Sequence, residues 1–167
     1  MPRISFHHLC VVFALFGSAH AVHAATATTT FNVKLTVGAS CTVAATDIDF
    51  GTVNAAVTAD LSKSGTLSVR CPASTSYTLG LAPSNNDTTG AGTMKGATGT
   101  NTDTVGYQLR QTSATGPAWG NVIGTNTATG TGSGMGNTTE HTVYATVPTT
   151  DVMPDAYSDV VTVTLTY

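Results

Sequence analysis

Short runs in which apolar and polar residues alternate recur along the chain. A period of two residues is typical of β-strands that bury one face, and no helical period competes with it. The sequence therefore predicts an all-β protein. The predicted strands lie at 31–37, 48–53, 66–71, 77–81, 105–109, 143–147 and 157–167.

The first and the last of these runs each carry one apolar face. In the first run the apolar positions are Phe31, Val33, Leu35 and Val37. In the last run they are Val161, Val163 and Leu165, with threonines between them. Alternation shows that a face is buried but does not show which core buries it. The run at 31–37 is therefore either the first strand of this domain's own closed sandwich or a strand given to another molecule.

Two stretches, 84–103 and 112–139, are rich in glycine, threonine and asparagine. Loops of this length are uncommon in compact domains. We expect each stretch to contain a short strand, one near Met94–Lys95 and one near Trp119. Seven or eight short strands separated by turn-forming residues are typical of an immunoglobulin-like β-sandwich.

Charge narrows the range of partners. Only 9% of the residues are charged, the formal net charge is -3 and the isoelectric point is about 5.8. Such a chain offers no cationic surface to a phosphate backbone or to acidic lipid headgroups. We therefore expect no nucleic-acid partner.

The first residues have the pattern of a signal peptide. Arg3 precedes the apolar run 9–16, and small residues follow at Ala19, Ala21 and Ala24. We predict cleavage between Ala24 and Ala25, with residues 1–24 as signal peptide and the mature chain exported. The apolar run is too short for a membrane span, so we expect no membrane insertion of the mature chain.

Cleavage would remove Cys10 and leave Cys41 and Cys71 as one pair. An even pair in an oxidising compartment predicts a disulfide bond. Cleavage would also leave His141 as the only histidine. We expect neither a metal site nor another cofactor, because two cysteines and one histidine offer too few ligands.

Candidate catalytic residues have simpler explanations. His141 sits in an alternating strand, and the aspartate pairs Asp47/Asp49 and Asp151/Asp155 flank strand ends, where aspartates bond nearby backbone amides. We therefore expect no enzymatic activity. Trp119 and the tyrosines could instead line a carbohydrate cleft, so a monomeric secreted carbohydrate-binding module is an alternative.

Several segments together resemble the spore coat protein U domain family, which includes the major pilins of archaic, Csu-type chaperone-usher pili. The resemblance covers nearly the whole mature chain and departs from the family at Ala156 and in the stretch 124–139. It rests on 31–37 with 40–43, Asp49-Phe50-Gly51, 65–71, 107–110, Trp119-Gly120, Val143-Tyr144, Val147-Pro148 and 157–167.

The resemblance implies an immunoglobulin-like sandwich that lacks its last strand and is completed by donor-strand exchange. Residues 25–37 would be the donor segment, 38–167 the pilin domain, and the strand carrying Val161, Val163 and Leu165 would lie beside the acceptor groove. The implied partners are identical or related pilin subunits, a periplasmic chaperone and an outer-membrane usher. The implied function is a surface pilus that supports adhesion and biofilm formation. A spore-coat or cell-coat structural protein is a further alternative.

Overall fold

The computed structural model describes residues 24–56, 58–59 and 61–167. The predicted signal peptide lies outside the described residues except for Ala24. The chain divides into two units, Met1–Thr36 and Val37–Tyr167. In the first unit, the described residues 24–36 form neither helix nor strand, and their side chains are exposed.

The second unit is built from two antiparallel sheets. All seven pairs of neighbouring strands in the described residues are antiparallel. The six-stranded sheet has the order β1-β2-β7-β5-β4-β8, and the three-stranded sheet has the order β6-β3-β9. The strands are β1 (Thr42–Ala45), β2 (Leu61–Arg70), β3 (Ser76–Ala82), β4 (Ala91–Gly96), β5 (Thr104–Gln111), β6 (Ala128–Thr131), β7 (Thr139–Val147), β8 (Tyr157–Ser158) and β9 (Thr162–Thr166).

The core lies between the two sheets and is formed by one face of each long strand. In β7 the odd positions from Val143 to Val147 are buried and the even positions are more exposed, as alternation requires. Trp119 adds the largest buried side chain from a loop, and its Nε1 donates a hydrogen bond to Leu79 O at 3.0 Å. The buried apolar residues of the strands are Leu67, Val69, Tyr77, Leu79, Leu81, Val105, Tyr107, Leu109, Ala128, Val143, Ala145 and Val147.

Much of the predicted pattern is confirmed. The fold is an immunoglobulin-like β-sandwich, and the runs at 66–71, 77–81, 105–109 and 143–147 correspond to β2, β3, β5 and β7. The short strand expected near Met94–Lys95 is β4.

Three of the strands predicted within residues 38–167 are wrong. Residues 48–53 form no strand, although Ile48 and Phe50 pack against the core. The run 157–167 is two strands, because the chain leaves β4 after Ser158 and joins β3 only at Thr162. Near Trp119 there is one isolated bridge, between Arg110 and Ala118, and the strand of this stretch is β6.

Candidate functional site

A groove of about 280 Å³ opens between the two sheets beside β9. Its floor is apolar and comes from the six-stranded sheet, with Leu67, Leu109, Val143 and Ala145. The facing wall comes from the three-stranded sheet, with Leu81 and Val163. The groove therefore exposes part of the sandwich core from the side.

One margin of the groove is β9. This strand pairs with β3 and, among the described strands, has no neighbour on its other side. Val163 and Leu165 are only half-buried, whereas their partners Leu81 and Leu79 are 2% and 0% exposed. The inward face of β9 is thus apolar but incompletely covered, and its free edge leaves backbone groups unpaired.

The other margin is the segment that follows β1. Thr46 continues the pairing with β2: its N donates to Thr66 O at 3.0 Å, and Thr66 N donates to Thr46 Oγ1 at 2.8 Å. The chain then passes over Gly65, where a Cβ would lie 2.9 Å from Ile48 Cγ1. Ile48 and Phe50 line the groove and are half-buried.

A turn ends this margin. Gly51 N donates to Asp49 Oδ1 at 2.7 Å, and Gly51 has a φ of +70°, which favours glycine. This is the turn chemistry expected for Asp49. Residues 48–50 have an apolar face, but among the described residues no strand pairs with them on the side of the groove, so they have a strand-like sequence without a strand's pairing.

One end of the groove is polar. The Tyr107 hydroxyl donates to Asp159 Oδ2 at 2.6 Å, and Val160 N donates to Asp159 Oδ1 at 2.8 Å. Burial opposes ionisation of Asp159, but hydrogen bonds from Ser84 and Tyr107 outweigh it and hold its pKa below the ordinary value. Burial, together with the neighbouring carboxylate, raises the pKa of Tyr107. Asp159 is therefore a half-buried anion beside an apolar surface.

Sequence reasoning did not single out this pair. Asp159 is an acidic residue inside a stretch of valines and threonines, and Tyr107 is the polar-tipped residue on an apolar strand face. These two departures from the local pattern are the signals that point to it, because a buried hydroxyl needs a hydrogen-bond partner.

The predicted donor residues are exposed. Phe31, Val33, Leu35 and Val37 are 85%, 86%, 86% and 81% exposed. Such exposure of four large apolar side chains in one short segment is unusual for a soluble chain. The segment forms no strand within this single chain.

The other predicted site residues fall at two places. Cys41 and Cys71 form a disulfide bond, which joins the residue before β1 to the residue after β2. Val161 and Val163 line the groove, whereas Leu165 lies further along β9 and packs against the core. Val161 itself precedes β9.

Among the described residues, the candidate catalytic side chains His141 and Asp155 each have structural hydrogen-bond partners. His141 Nε2 is hydrogen-bonded to the Tyr77 hydroxyl at 2.9 Å, and the edge of its ring meets those of Tyr77 and Trp119. Asp155 accepts hydrogen bonds from Thr98 N and Asn101 Nδ2, both at 2.9 Å, and so ties two loops together. No three His, Cys, Asp or Glu side chains gather as metal ligands in the part of the chain that the structure describes.

Three of the aromatic residues considered for a carbohydrate cleft are buried. Trp119, Tyr77 and Tyr107 are 1%, 2% and 8% exposed, so their rings are not available as stacking platforms. Residues 24–56, 58–59 and 61–167 contain no helix long and apolar enough to cross a membrane.

Comparison with known families shows the family of this chain. The family model described as Spore Coat Protein U domain matches residues 27–164. The chain belongs to the Spore Coat Protein U domain family. This confirms the resemblance found in the sequence, and the match includes the segment 31–37, the margin that follows β1 and the first half of β9.

A solved structure has a similar fold. It is described as the CsuC-CsuE chaperone-tip adhesion subunit pre-assembly complex from archaic chaperone-usher Csu pili of Acinetobacter baumannii. The TM-score is 0.54 at 19% sequence identity, and the match covers 79% of this chain and 40% of that chain. This chain thus spans less than half the length of the solved chain that it matches. No curated protein matches the sequence.

Proposed function

We propose that this Spore Coat Protein U domain protein is a non-enzymatic structural subunit of an archaic chaperone-usher pilus. Its open groove receives residues 31–37 of a neighbouring copy, and its own segment enters the groove of the next. The observation that carries the proposal is the coexistence of an apolar groove beside β9 and an exposed apolar segment in the same chain.

The chemistry of the two surfaces is complementary. The segment presents four apolar side chains on one face, and the groove exposes the inward faces of Val163 and Ile48 to receive them. Burying four such side chains contributes about 6 to 12 kcal/mol before ordering costs, taking about 1.5 to 3 kcal/mol for each. The unpaired edge of β9 adds main-chain hydrogen bonds to an incoming strand.

This contact also explains growth into a filament. The segment and the groove are different surfaces of one molecule, so the contact is heterologous and does not close on itself. Each added copy brings a new unfilled groove. The family membership supports this interpretation of the two surfaces.

The exposed core requires partners before and during assembly. A periplasmic chaperone occupies the groove until assembly, because an open apolar groove would otherwise aggregate. The similar solved structure, a complex of a chaperone with a pilus subunit, supports this partner. An outer-membrane usher then exports the growing pilus, which acts at the cell surface in adhesion and biofilm formation.

Deletion of residues 25–37 tests the proposal. The deletion leaves the groove and the disulfide intact. The variant should therefore bind the chaperone, or the segment 31–37 of a full-length copy, in its groove, but should form no filaments of its own. The matched control replaces Asn32, Lys34 and Thr36 by serine, which keeps the apolar face, and should polymerise. Filaments from the deletion variant would refute the donor role. A stable monomeric full-length chain with a filled groove would favour the carbohydrate-binding or coat-protein alternatives.

A further inference from the structure

The polar end of the groove has a consequence for how a strand can lie in it. Tyr107 lies in β5 of the six-stranded sheet, and Asp159 lies where the chain crosses from β8 to β9. A 2.6 Å hydrogen bond joins their side chains. Asp159 is half-buried and lines the groove, whereas Asp47, the other acid along the groove, is exposed. An apolar side chain placed against Asp159 would remove water from a carboxylate and offer no hydrogen bond in return.

The direction of the incoming strand follows from the sheet that it extends. Every described strand pair in this protein is antiparallel. β9 begins after Asp159 and runs away from it. A strand that pairs antiparallel with β9 therefore brings its carboxyl end to Asp159, so Val37 and the residues after it approach the polar pair.

The sequence of the segment fits such an end. On the face that carries Phe31, Val33, Leu35 and Val37, the next position is Ala39. Alanine places only a methyl group beside the carboxylate and leaves the hydrogen bond from Tyr107 undisturbed. The apolar run of the donor thus ends where the apolar lining of the acceptor ends.

We propose that the Tyr107–Asp159 pair is a stop that sets the register of the inserted strand, with Ala39 of the donor beside Asp159 of the acceptor. This inference rests on the proposed function. In this register Val37 lies opposite Val161, Leu35 opposite Val163, and Val33 opposite Leu165. All three acceptor residues are half-buried and would be covered.

The two neighbouring registers are less favourable. A slip of two residues towards the stop places Val37 on the carboxylate of Asp159, which is the arrangement that the polar pair excludes. A slip of two residues in the other direction places Ala39 opposite Val161, where a methyl group fills less of the groove than valine does. Only slips of two residues need be considered, because a slip of one would turn the apolar face outward.

Disulfide trapping between two full-length chains measures the register. The donor chain carries Thr36→Cys, and the acceptor chain carries one cysteine at Val160, Thr162 or Thr164, all of which are exposed. Directly opposed residues in an antiparallel pair are close enough to form a disulfide. The proposal places Thr36 opposite Thr162, so Thr162→Cys should give about tenfold or more cross-linked product than either neighbour. Peptide mass mapping verifies that the native Cys41–Cys71 bond is retained.

Variants of the stop then test its role. Asp159→Leu should allow the slip towards the stop and raise the yield at Val160→Cys to about that at Thr162→Cys, whereas Asp159→Asn keeps a polar group and should keep the register. On the donor side, Ala39→Val should shift the product to Thr164→Cys, and Ala39→Ser should not. The donor variants lie in an exposed segment, so they remain informative if Asp159→Leu fails to fold.

The outcomes separate the two proposals. Cross-linking that stays at Thr162→Cys in Ala39→Val and in folded Asp159→Leu would overturn the stop and leave strand donation standing. A wild-type preference for Val160→Cys or Thr164→Cys would overturn the register. Absence of cross-linking at all three positions, with chains that stay monomeric, would overturn strand donation and the register with it.

Discussion

Leu81 and Val163 lie directly opposite each other in neighbouring strands, yet Leu81 is 2% exposed and Val163 is half-buried. Both side chains point into the space between the sheets. The difference arises because β3 has neighbours on both sides, whereas β9 has one neighbour and faces the groove on its other side. The sandwich core is covered over β3 and uncovered over β9.

A mixture of one variant with an impaired segment 31–37 and another with an impaired groove should form dimers and no longer filaments. Leu35→Asp places a charge in the donor face, and Val163→Asp places one in the groove, where an unpaired charge is strongly unfavourable. Neither variant alone should polymerise. An equimolar mixture should give heterodimers, because the intact segment of one fits the intact groove of the other. Light scattering after size-exclusion chromatography measures the mass.

The control for this experiment is Thr164→Asp, which adds the same charge to β9 on its exposed face. It should polymerise like the wild type. Filaments formed by Leu35→Asp alone, or a mixture that contains only monomers, would contradict strand donation through these two residues.

Gly65→Ala should disturb the groove margin. The added Cβ would lie 2.9 Å from both Thr46 O and Ile48 Cγ1, so the backbone of the margin must move. We expect a loss of about 1 to 3 kcal/mol in the free energy of unfolding, as for other overpacked sites, and slower polymerisation. Urea denaturation and filament growth followed by light scattering measure the two effects.

Gly106→Ala is the matched control, because an added Cβ there meets no atom within 4 Å. It should leave both measurements close to those of the wild type. If Gly65→Ala behaved like Gly106→Ala, the close approach of Ile48 to β2 would not be needed for the groove.

Loss of the disulfide should lower stability by a predictable amount. Cys41 and Cys71 are 30 residues apart, and in the chain-entropy model closing a loop of this length contributes about 3 to 4 kcal/mol. Cys41→Ser with Cys71→Ser should therefore shift the urea midpoint downward relative to the oxidised wild type. The reduced wild type should match the double variant, and a midpoint unaffected by reduction would contradict this contribution.

Acid should destabilise the fold through His141. Burial lowers the pKa of His141 below its ordinary value of 6.5, so the folded chain holds the imidazole neutral where the unfolded chain binds a proton. The contribution of His141 to stability is therefore fully present above pH 6.5 and decreases as the pH falls below it. The urea midpoint of unfolding should therefore decrease as the pH is lowered from about 8 to about 5.

His141→Gln removes this titration and keeps a polar group near the Tyr77 hydroxyl. Its urea midpoint should change less over the same pH range, even if its stability at neutral pH is lower. An equal pH dependence in the variant and the wild type would assign the effect to other groups.

The sequence patterns predicted the strands that pair on both sides far better than those at the groove. The run at 143–147 is β7, whose backbone pairs with β2 and β5 and whose one face lies in the core, so its alternation is regular. The run at 48–53 also has an apolar face but forms no strand, because no described strand lies beside it, and local patterning cannot show this. Its apolar face is explained by the groove instead.

The remaining differences also have physical causes. The run 157–167 alternates except at Asp159 and Val160, which break the pattern where the chain leaves one sheet for the other. Trp119 is apolar and buried, but it is held by a side-chain hydrogen bond to Leu79 O, a backbone bond to Leu109 O and one isolated bridge next to it, and not by a continuous strand ladder. The Tyr107–Asp159 pair joins residues 52 positions apart and is set by tertiary packing.

The disulfide also determines how a filament would bear load. In a pilus under tension, each inserted segment pulls on its own subunit through Gly38, Ala39 and Ser40, which lead directly to Cys41. The covalent link to Cys71 passes this force to the end of β2, which has sheet neighbours on both sides, and spares the four-residue strand β1 from being peeled away. Filaments lacking the cross-link should therefore extend irreversibly at lower force in an optical trap than oxidised wild-type filaments do.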